Sequence, residues 1–238
     1  MTAAQDPHVP DPPQPSGASD APAACTICGG TRFEPGPNQR ASSTGRAPRC
    51  SRCRSLERHR QLRRVYAQLP RELLASLDVL QLSPDIGVDP AWFRSYEVSE
   101  YGGENSLDLQ AIARPDAAYD LVICNHVLEH VADDREALRE LLRVTRPEGF
   151  VQITVPSPYT RSTTIDWGYA EARAHGHYRG YGRDFLQRFA EARPDAAVLQ
   201  VEVFDPVTAA GSYVYLWTAD AARLAQLQRW VALPTERA

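Results

Sequence analysis

The sequence contains no lysine, so all 26 of its basic residues are arginine. With the abundance of Ala and Pro, this points to a GC-rich coding bias rather than to a function. Apolar runs approaching the ~20 residues that span a bilayer are also missing, so no membrane partner is expected. The first 24 residues, Met1 to Ala24, have neither arginine nor an apolar stretch and carry Asp6, Asp11 and Asp20 among many prolines. Such a segment resembles neither a secretory nor a transit signal. It buries too little apolar surface to offset its ordering entropy, and a disordered tail on a cytoplasmic protein is expected.

What is present is unevenly distributed. Residues 25–64 hold ten arginines against the two acids Glu34 and Glu57, whereas residues 65–238 hold sixteen arginines against twenty-five acids. The net charge of −4 therefore conceals a basic module of +8 followed by an acidic body of −9. Four of the five cysteines form Cys25-x-x-Cys28 and Cys50-x-x-Cys53. Each pair can fold as a tight knuckle that aims two thiolates at one metal, so the spacing fits a four-cysteine zinc site. A disulfide pair is the alternative, disfavoured where no secretory signal precedes it. Four thiolates leave no position for substrate, so the zinc would be structural; such a site supplies about 10–16 kcal/mol in small peptides that lack a core of their own. Cys124, at the end of an apolar run, reads as a small core residue.

The pattern divides the chain into a tail (1–24), a zinc ribbon (25–54), a linking helix (55–76) and an α/β body (77–238). In Ser55 to Leu69 the residues Leu56, Leu62, Val65, Tyr66 and Leu69 recur at helical spacing, with Arg58, Arg60, Arg63 and Arg64 between them. These arginines are read either as a solvated face paired with the acidic body or as a surface for an anionic substrate, phosphate or nucleic acid. From Leu77 short apolar runs alternate with helical stretches. Strands are expected at 77–82, 96–99, 107–109, 119–124, 150–155, 197–204 and 212–217, the last two an antiparallel edge pair. Helices are expected at 91–95, 133–144, 184–192 and 221–233. Repeated alternation implies a parallel-dominated sheet with helices on both faces. Tyr119 to Cys124 reads as a strand buried on both sides that stops at Asn125-His126, and His130 follows one turn later. In such sheets ligands bind beyond the carboxyl ends of the strands, although capping is the plainer role for each of these residues alone.

The stretch Asp120-Leu-Val-Ile-Cys-Asn-His-Val-Leu-Glu-His-Val131, the following Asp133-Asp134-Arg135 and the turn Arg146-Pro147-Glu148-Gly149 resemble class I S-adenosylmethionine-dependent methyltransferases. Some of these carry a four-cysteine ribbon followed by a segment like Ser55 to Arg60, and later one like His177 to Asp184. The resemblance implies a Rossmann-like, mostly parallel seven-stranded sheet with S-adenosylmethionine across the ends of the first four strands. It implies that Ser83, Pro84, Asp85 and Gly87 border the cofactor's amino-acid part, that Glu100 holds the ribose hydroxyls and that Asp108 approaches the adenine. Asn125 and His126 would border the methionine part. His126 is then the first choice of catalytic base and His177 the second, because 159–182 is where this fold builds an acceptor lid; histidine titrates where such a proton transfer needs it. Tyr178, Arg179 and Tyr181 would bind or orient the acceptor, while His175 is expected to be merely exposed.

One departure stands out: these enzymes usually have a glycine-rich turn after the first strand, and Ser83 to Gly87 contains a single glycine. The expected reaction is methylation of an oxygen or nitrogen nucleophile on a small molecule, such as a sugar or natural-product intermediate, with arginines favouring an anionic one. The rivals are altered chemistry on the same cofactor, a non-catalytic role, and nucleic-acid binding through the basic ribbon.

Overall fold

The protein is described by a computed structural model covering residues 23–156 and 158–237. The expected disordered tail lies outside the described residues except for its last two positions. No helix among the described residues is long and apolar enough to cross a membrane.

Two short antiparallel strands, β1 (Phe33–Glu34) and β2 (Arg49–Cys50), bring the cysteine knuckles together. Helix α1 (Glu57–Tyr66) leaves directly from the second knuckle. Its start is fixed by the His59 Nδ1, which accepts from the Leu56 N–H at 3.0 Å. A four-residue helix α2 (Arg71–Leu74) leads into the body. There the strands are β3 (Asp78–Leu82), β4 (Ser95–Ser99), β5 (Tyr119–Asn125) and β6 (Thr145–Thr154), with α3 (Asp134–Val144) between the last two. A hairpin of β7 (Ile165–Glu171) and β8 (His177–Gly180) precedes α4 (Phe185–Ala192). The chain closes with β9 (Ala197–Phe204), β10 (Gly211–Thr218), α5 (Ala221–Trp230) and β11 (Thr235–Arg237).

The main sheet has seven strands in the order β11-β9-β10-β6-β5-β3-β4. Strands β4, β3, β5 and β6 are mutually parallel; β10 opposes β6, β9 opposes β10 and β11 opposes β9. Five of the seven strands thus run one way, which is the mostly parallel sheet expected. Successive residues of β5 alternate between two cores: Leu121 and Ile123 pack with α1, α2 and α5, whereas Val122 and Cys124 pack with α3 and α4. Burial on both faces is why this strand reads as an unbroken apolar run. Leu138 and Leu141 of α3 are fully buried, each contributing about 1.5–3 kcal/mol. At the amino ends of the strands, away from the crevice described below, Arg94 and Arg146 both pair with Asp78 and Asp120 and hold the Asp78 carboxyl well below its ordinary range.

Three expectations are corrected. Residues 107–109 form no strand, only an isolated bridge between Asp108 and Ala111. Side chains close the β4 edge instead: Asn105 Nδ2 donates to Val98 O at 2.8 Å, and Ser99 Oγ accepts from the Leu107 N–H at 3.1 Å. The seventh strand is β11, at the opposite edge, so β9 and β10 are not themselves the sheet's margin. Residues 91–95 form no α-helix; Asp89 caps a single 3-10 turn, Pro90–Trp92. The crossover from β3 to β4 therefore lacks a helix of its own, and α1 fills that side. Tyr66 of α1 packs on Trp92 and Phe93 at ring separations of 5.9 and 6.3 Å.

Candidate functional site

Strands β3, β4 and β5 are in register, with Leu82 opposite both Ser99 and Cys124, so the chain leaves the sheet at one end from Ser83, Glu100 and His126. A cavity of about 630 Å³ lies over these three exits. Such a volume falls within the ~300–1,000 Å³ typical of ligand sites. Of the expected cofactor and acceptor residues, Ser83, Glu100, Asp108, His126 and Tyr178 line it.

Ser83, the first residue after β3, has a left-handed backbone, φ +69°, which glycine adopts most readily. Its N–H donates to Ser99 O at 2.8 Å, which ties the exits of β3 and β4 together. Pro84, Asp85 and Gly87 are not part of the cavity wall. The loop turns toward α1: Asp85 Oδ2 lies 3.7 Å from His59 Nε2, and Asp85 Oδ1 accepts from the Gly87 N–H. A Cβ on Gly87 would come within 2.8 Å of Leu62 Cδ2, so its glycine serves close approach to α1 and not to a ligand.

Across the cavity, His126 also has a left-handed backbone, φ +54°, held by its N–H donating to Thr154 O at 2.9 Å. The turn lifts the imidazole off the sheet and leaves it partly exposed. Its Nδ1 lies 3.5 Å from Oε1 of Glu129, a buried carboxylate on the 3-10 turn Leu128–His130. Asn125 faces inward instead, its Oδ1 accepting from Gln152 Nε2 at 3.0 Å and from Thr154 Oγ1 at 2.8 Å. It therefore supports the end of β5 and stands behind the wall.

The β7–β8 hairpin folds over this end of the sheet, and Tyr178 reaches the cavity from it. The expectation that Arg179 and Tyr181 meet the acceptor is corrected by their burial. Arg179 donates to Val131 O at 2.8 Å, to Ala132 O and, through Nε, to Asp166 Oδ2 at 2.8 Å. Tyr181 is inaccessible; its hydroxyl donates to Asp134 Oδ2 at 2.9 Å, and burial pushes its ionisation well above the ordinary range. Both rivet the hairpin to the segment after β5. His177 does not line the cavity but packs edge-on against His130, which does, at a ring separation of 4.6 Å. Burial lowers the His177 pKa below its ordinary value.

Sequence reasoning missed Glu129 and the contributions of Ser99, Tyr101, Gln110 and Val131 to the wall. The spacing of His126 and Glu129, one helical turn apart, was the available signal for the first; the others sit in irregular segments that carry no periodicity.

At the ribbon, Cys25, Cys28, Cys50 and Cys53 are all free thiols whose sulfurs lie within 4.8 Å of one another. The Cys25–Cys53 and Cys28–Cys50 sulfurs are each 3.6 Å apart. Sulfurs at ~2.3 Å from one tetrahedral zinc would be about 3.8 Å apart, so the donor set fits that ion. Of the arginines expected to form a surface on α1, Arg60 is fully buried against Asp205, Arg63 stacks on Trp92 at 4.3 Å and Arg64 donates to Phe204 O. Arg60 does pair with an acid of the body, as one reading expected, but the pair is buried rather than solvated.

Comparison with known proteins gives a family match described as a methyltransferase domain over residues 55–193. A malonyl-[acyl-carrier protein] O-methyltransferase of Halorhodospira halophila is 36% identical over 98 residues, 41% of this chain and 33% of that protein. The matched region thus spans about a third of the curated relative's length. Among solved structures, the 1,6-didemethyltoxoflavin-N1-methyltransferase of Burkholderia thailandensis is similar at 19% identity and a TM-score of 0.47, over 67% of this chain and 79% of that one. The N-methyltransferase NodS of Bradyrhizobium japonicum is similar at 12% identity and a TM-score of 0.44, over 68% and 85%.

Proposed function

This chain belongs to the methyltransferase-domain family, and from that premise we propose that it transfers a methyl group from S-adenosylmethionine to an oxygen or nitrogen of a small molecule. The observation that supports this most is the cavity over the ends of β3, β4 and β5, with the Glu100 carboxylate on one side and His126 on the other. S-adenosylmethionine, when bound, supplies an activated methyl on a sulfonium. Glu100 follows the last residue of β4, where a carboxylate accepts two hydrogen bonds from a ribose diol. Ser83 and Asp108 line the same cavity as Glu100.

His126 takes the acceptor's proton. Its Nδ1 faces Glu129, so a proton there is held by the carboxylate and Nε2 is left as the base. Tyr178 orients the acceptor from the hairpin. The four cysteines hold a structural zinc that supplies stability to a module with little core, and no reaction step involves it. A small acceptor suits the site better than a polymer, because Arg60, Arg63 and Arg64 are taken up by contacts within the chain. Isothermal calorimetry with S-adenosylmethionine and with its demethylated product tests the reading: both should bind in the micromolar range. Absence of binding for either at millimolar concentration would refute it. Binding of both without turnover in an acceptor screen would favour altered chemistry on the same cofactor.

A further inference from the structure

We propose that the wall of this cavity contains a divalent-cation site formed by Glu129, His130 and His177. One ligand atom from each of the three lies within 4.8 Å of the other two. They come from two separate elements, the 3-10 turn after β5 and the first residue of β8, and the contacts of Arg179 with Val131 O and Ala132 O hold those elements together.

The second observation is electrostatic. Glu129 is 1% exposed; Oε1 faces His126, and Oε2 is buried with no hydrogen-bond partner. A buried carboxylate oxygen without a partner is costly, and a cation is the natural complement. Neither the His130 nor the His177 ring makes a hydrogen bond among the described residues, so both rings keep a nitrogen lone pair free for a metal. Around one ion, donors at ~2.1 Å sit roughly 3–3.5 Å apart. Closure from the observed spacing is a matter of rotating His130, which is exposed.

Two imidazoles and one carboxylate suit zinc, cobalt, nickel, manganese or ferrous iron, and not calcium or magnesium, which take oxygen ligands. The three ligands leave coordination positions open, and His130 lines the cavity, so those positions face the acceptor. An acceptor bearing a hydroxyl or carboxylate oxygen would bind there. That last clause rests on the methyltransferase reading; the cation site itself does not.

The test starts from protein loaded with zinc at the four cysteines, which is then titrated with Co²⁺ and followed by visible absorption and calorimetry. The wild type should take up one further equivalent, with the weak bands of nitrogen and oxygen ligation and no sulfur-to-cobalt charge transfer. Glu129→Gln, His130→Ala and His177→Ala should each weaken that uptake at least tenfold, while His175→Ala retains it. Circular dichroism and the retained ribbon zinc report folding, and His177→Asn serves as a milder variant if His177→Ala does not fold. No further equivalent in the wild type, or uptake that survives two of the three substitutions, would overturn the assignment. S-adenosylmethionine titrated into the same proteins separates the two proposals: cobalt uptake without cofactor binding keeps the cation site and sinks methyl transfer.

Discussion

Replacing Arg60 by methionine should remove much of the protein's net stability. The guanidinium has no exposure, and it donates to Asp205 through Nε at 2.7 Å and Nη2 at 2.8 Å, to Pro48 O at 2.8 Å and to Ser55 O at 3.0 Å. Arg60→Met leaves the buried Asp205 carboxylate with only the Thr208 N–H and hydroxyl, and stranding a charge in this way costs about 3–5 kcal/mol. The Pro48 carbonyl, orphaned by the change, adds about 1–3 kcal/mol, whereas Ser55 O keeps the Cys50 N–H. Against a total of about 5–15 kcal/mol, that is a large fraction. At about 2–4 °C per kcal/mol for a chain of this size, the melting temperature should fall by 10 °C or more. Denaturant titration of the zinc-loaded protein measures the change. Arg60→Met with Asp205→Asn isolates the charge, because asparagine still accepts from Thr208; this double variant should recover about 3 kcal/mol of the loss. A single variant that loses less than about 1 kcal/mol, or a double variant no more stable than the single, would refute the reasoning.

Ser83→Gly should stabilise the protein by about 0.5–1 kcal/mol, since it relieves a left-handed backbone on a residue with a Cβ, and Ser83→Val should destabilise it; denaturation midpoints of the two decide. Burial, reinforced by Arg58 and other nearby positive groups and opposed by Asp85, lowers the His59 pKa to about 4. The unfolded chain takes up that proton first, near pH 6.5, so the contribution is present above pH 6.5 and lost as the pH falls to about 4. That loss amounts to about 3 kcal/mol, and a pH series of unfolding curves should show it in the wild type and not in His59→Gln. Glu100→Gln should weaken S-adenosylmethionine binding about 10- to 100-fold by calorimetry, with little change in stability because the side chain is exposed. Cys50→Ser should leave no zinc at the ribbon in elemental analysis; full retention would mean that the four thiols do not act together.

The parts of the fold legible in the sequence were those with strong periodicity. The run Tyr119 to Cys124 announced a buried strand because each of its faces meets a different core, and α3 announced itself by its apolar stripe and its Asp133 cap. Residues 107–109 misled because Leu107 and Leu109 are indeed buried; they pack as a loop, and the edge they were expected to extend is closed by Asn105 and Ser99. At the site, His126 could be read from its position at a strand end, whereas Ser83 and Glu100 followed from the family resemblance; all three line the cavity. Arg179 and Tyr181 could not: an arginine or tyrosine in a polar segment reads as a ligand contact, and nothing local tells that its partners lie on the segment after β5 or at the start of α3.

The single-glycine turn after β3 has a physical explanation in the helix that precedes the sheet. A glycine-rich loop is needed where backbone must pass close to a ligand and also to the helix that follows it. In this chain that following helix is missing, and α1 occupies its side. The close approach has moved accordingly: Gly87 meets Leu62 of α1, Asp85 meets His59, and only Ser83 keeps the left-handed turn that borders the cavity. Because α1 begins directly after the second cysteine knuckle and is anchored through Arg60 to Asp205, the ribbon sets where α1 lies, and α1 in turn sets where the loop lies. The turn after β3 is thus supported from outside the α/β body, by a helix that leaves directly from the four-cysteine cluster. Removing zinc should therefore weaken S-adenosylmethionine binding even though the four cysteines lie outside the cavity wall. Calorimetry on chelator-treated protein that retains its helical content would measure this, and an unchanged affinity would show that the loop holds its place without α1.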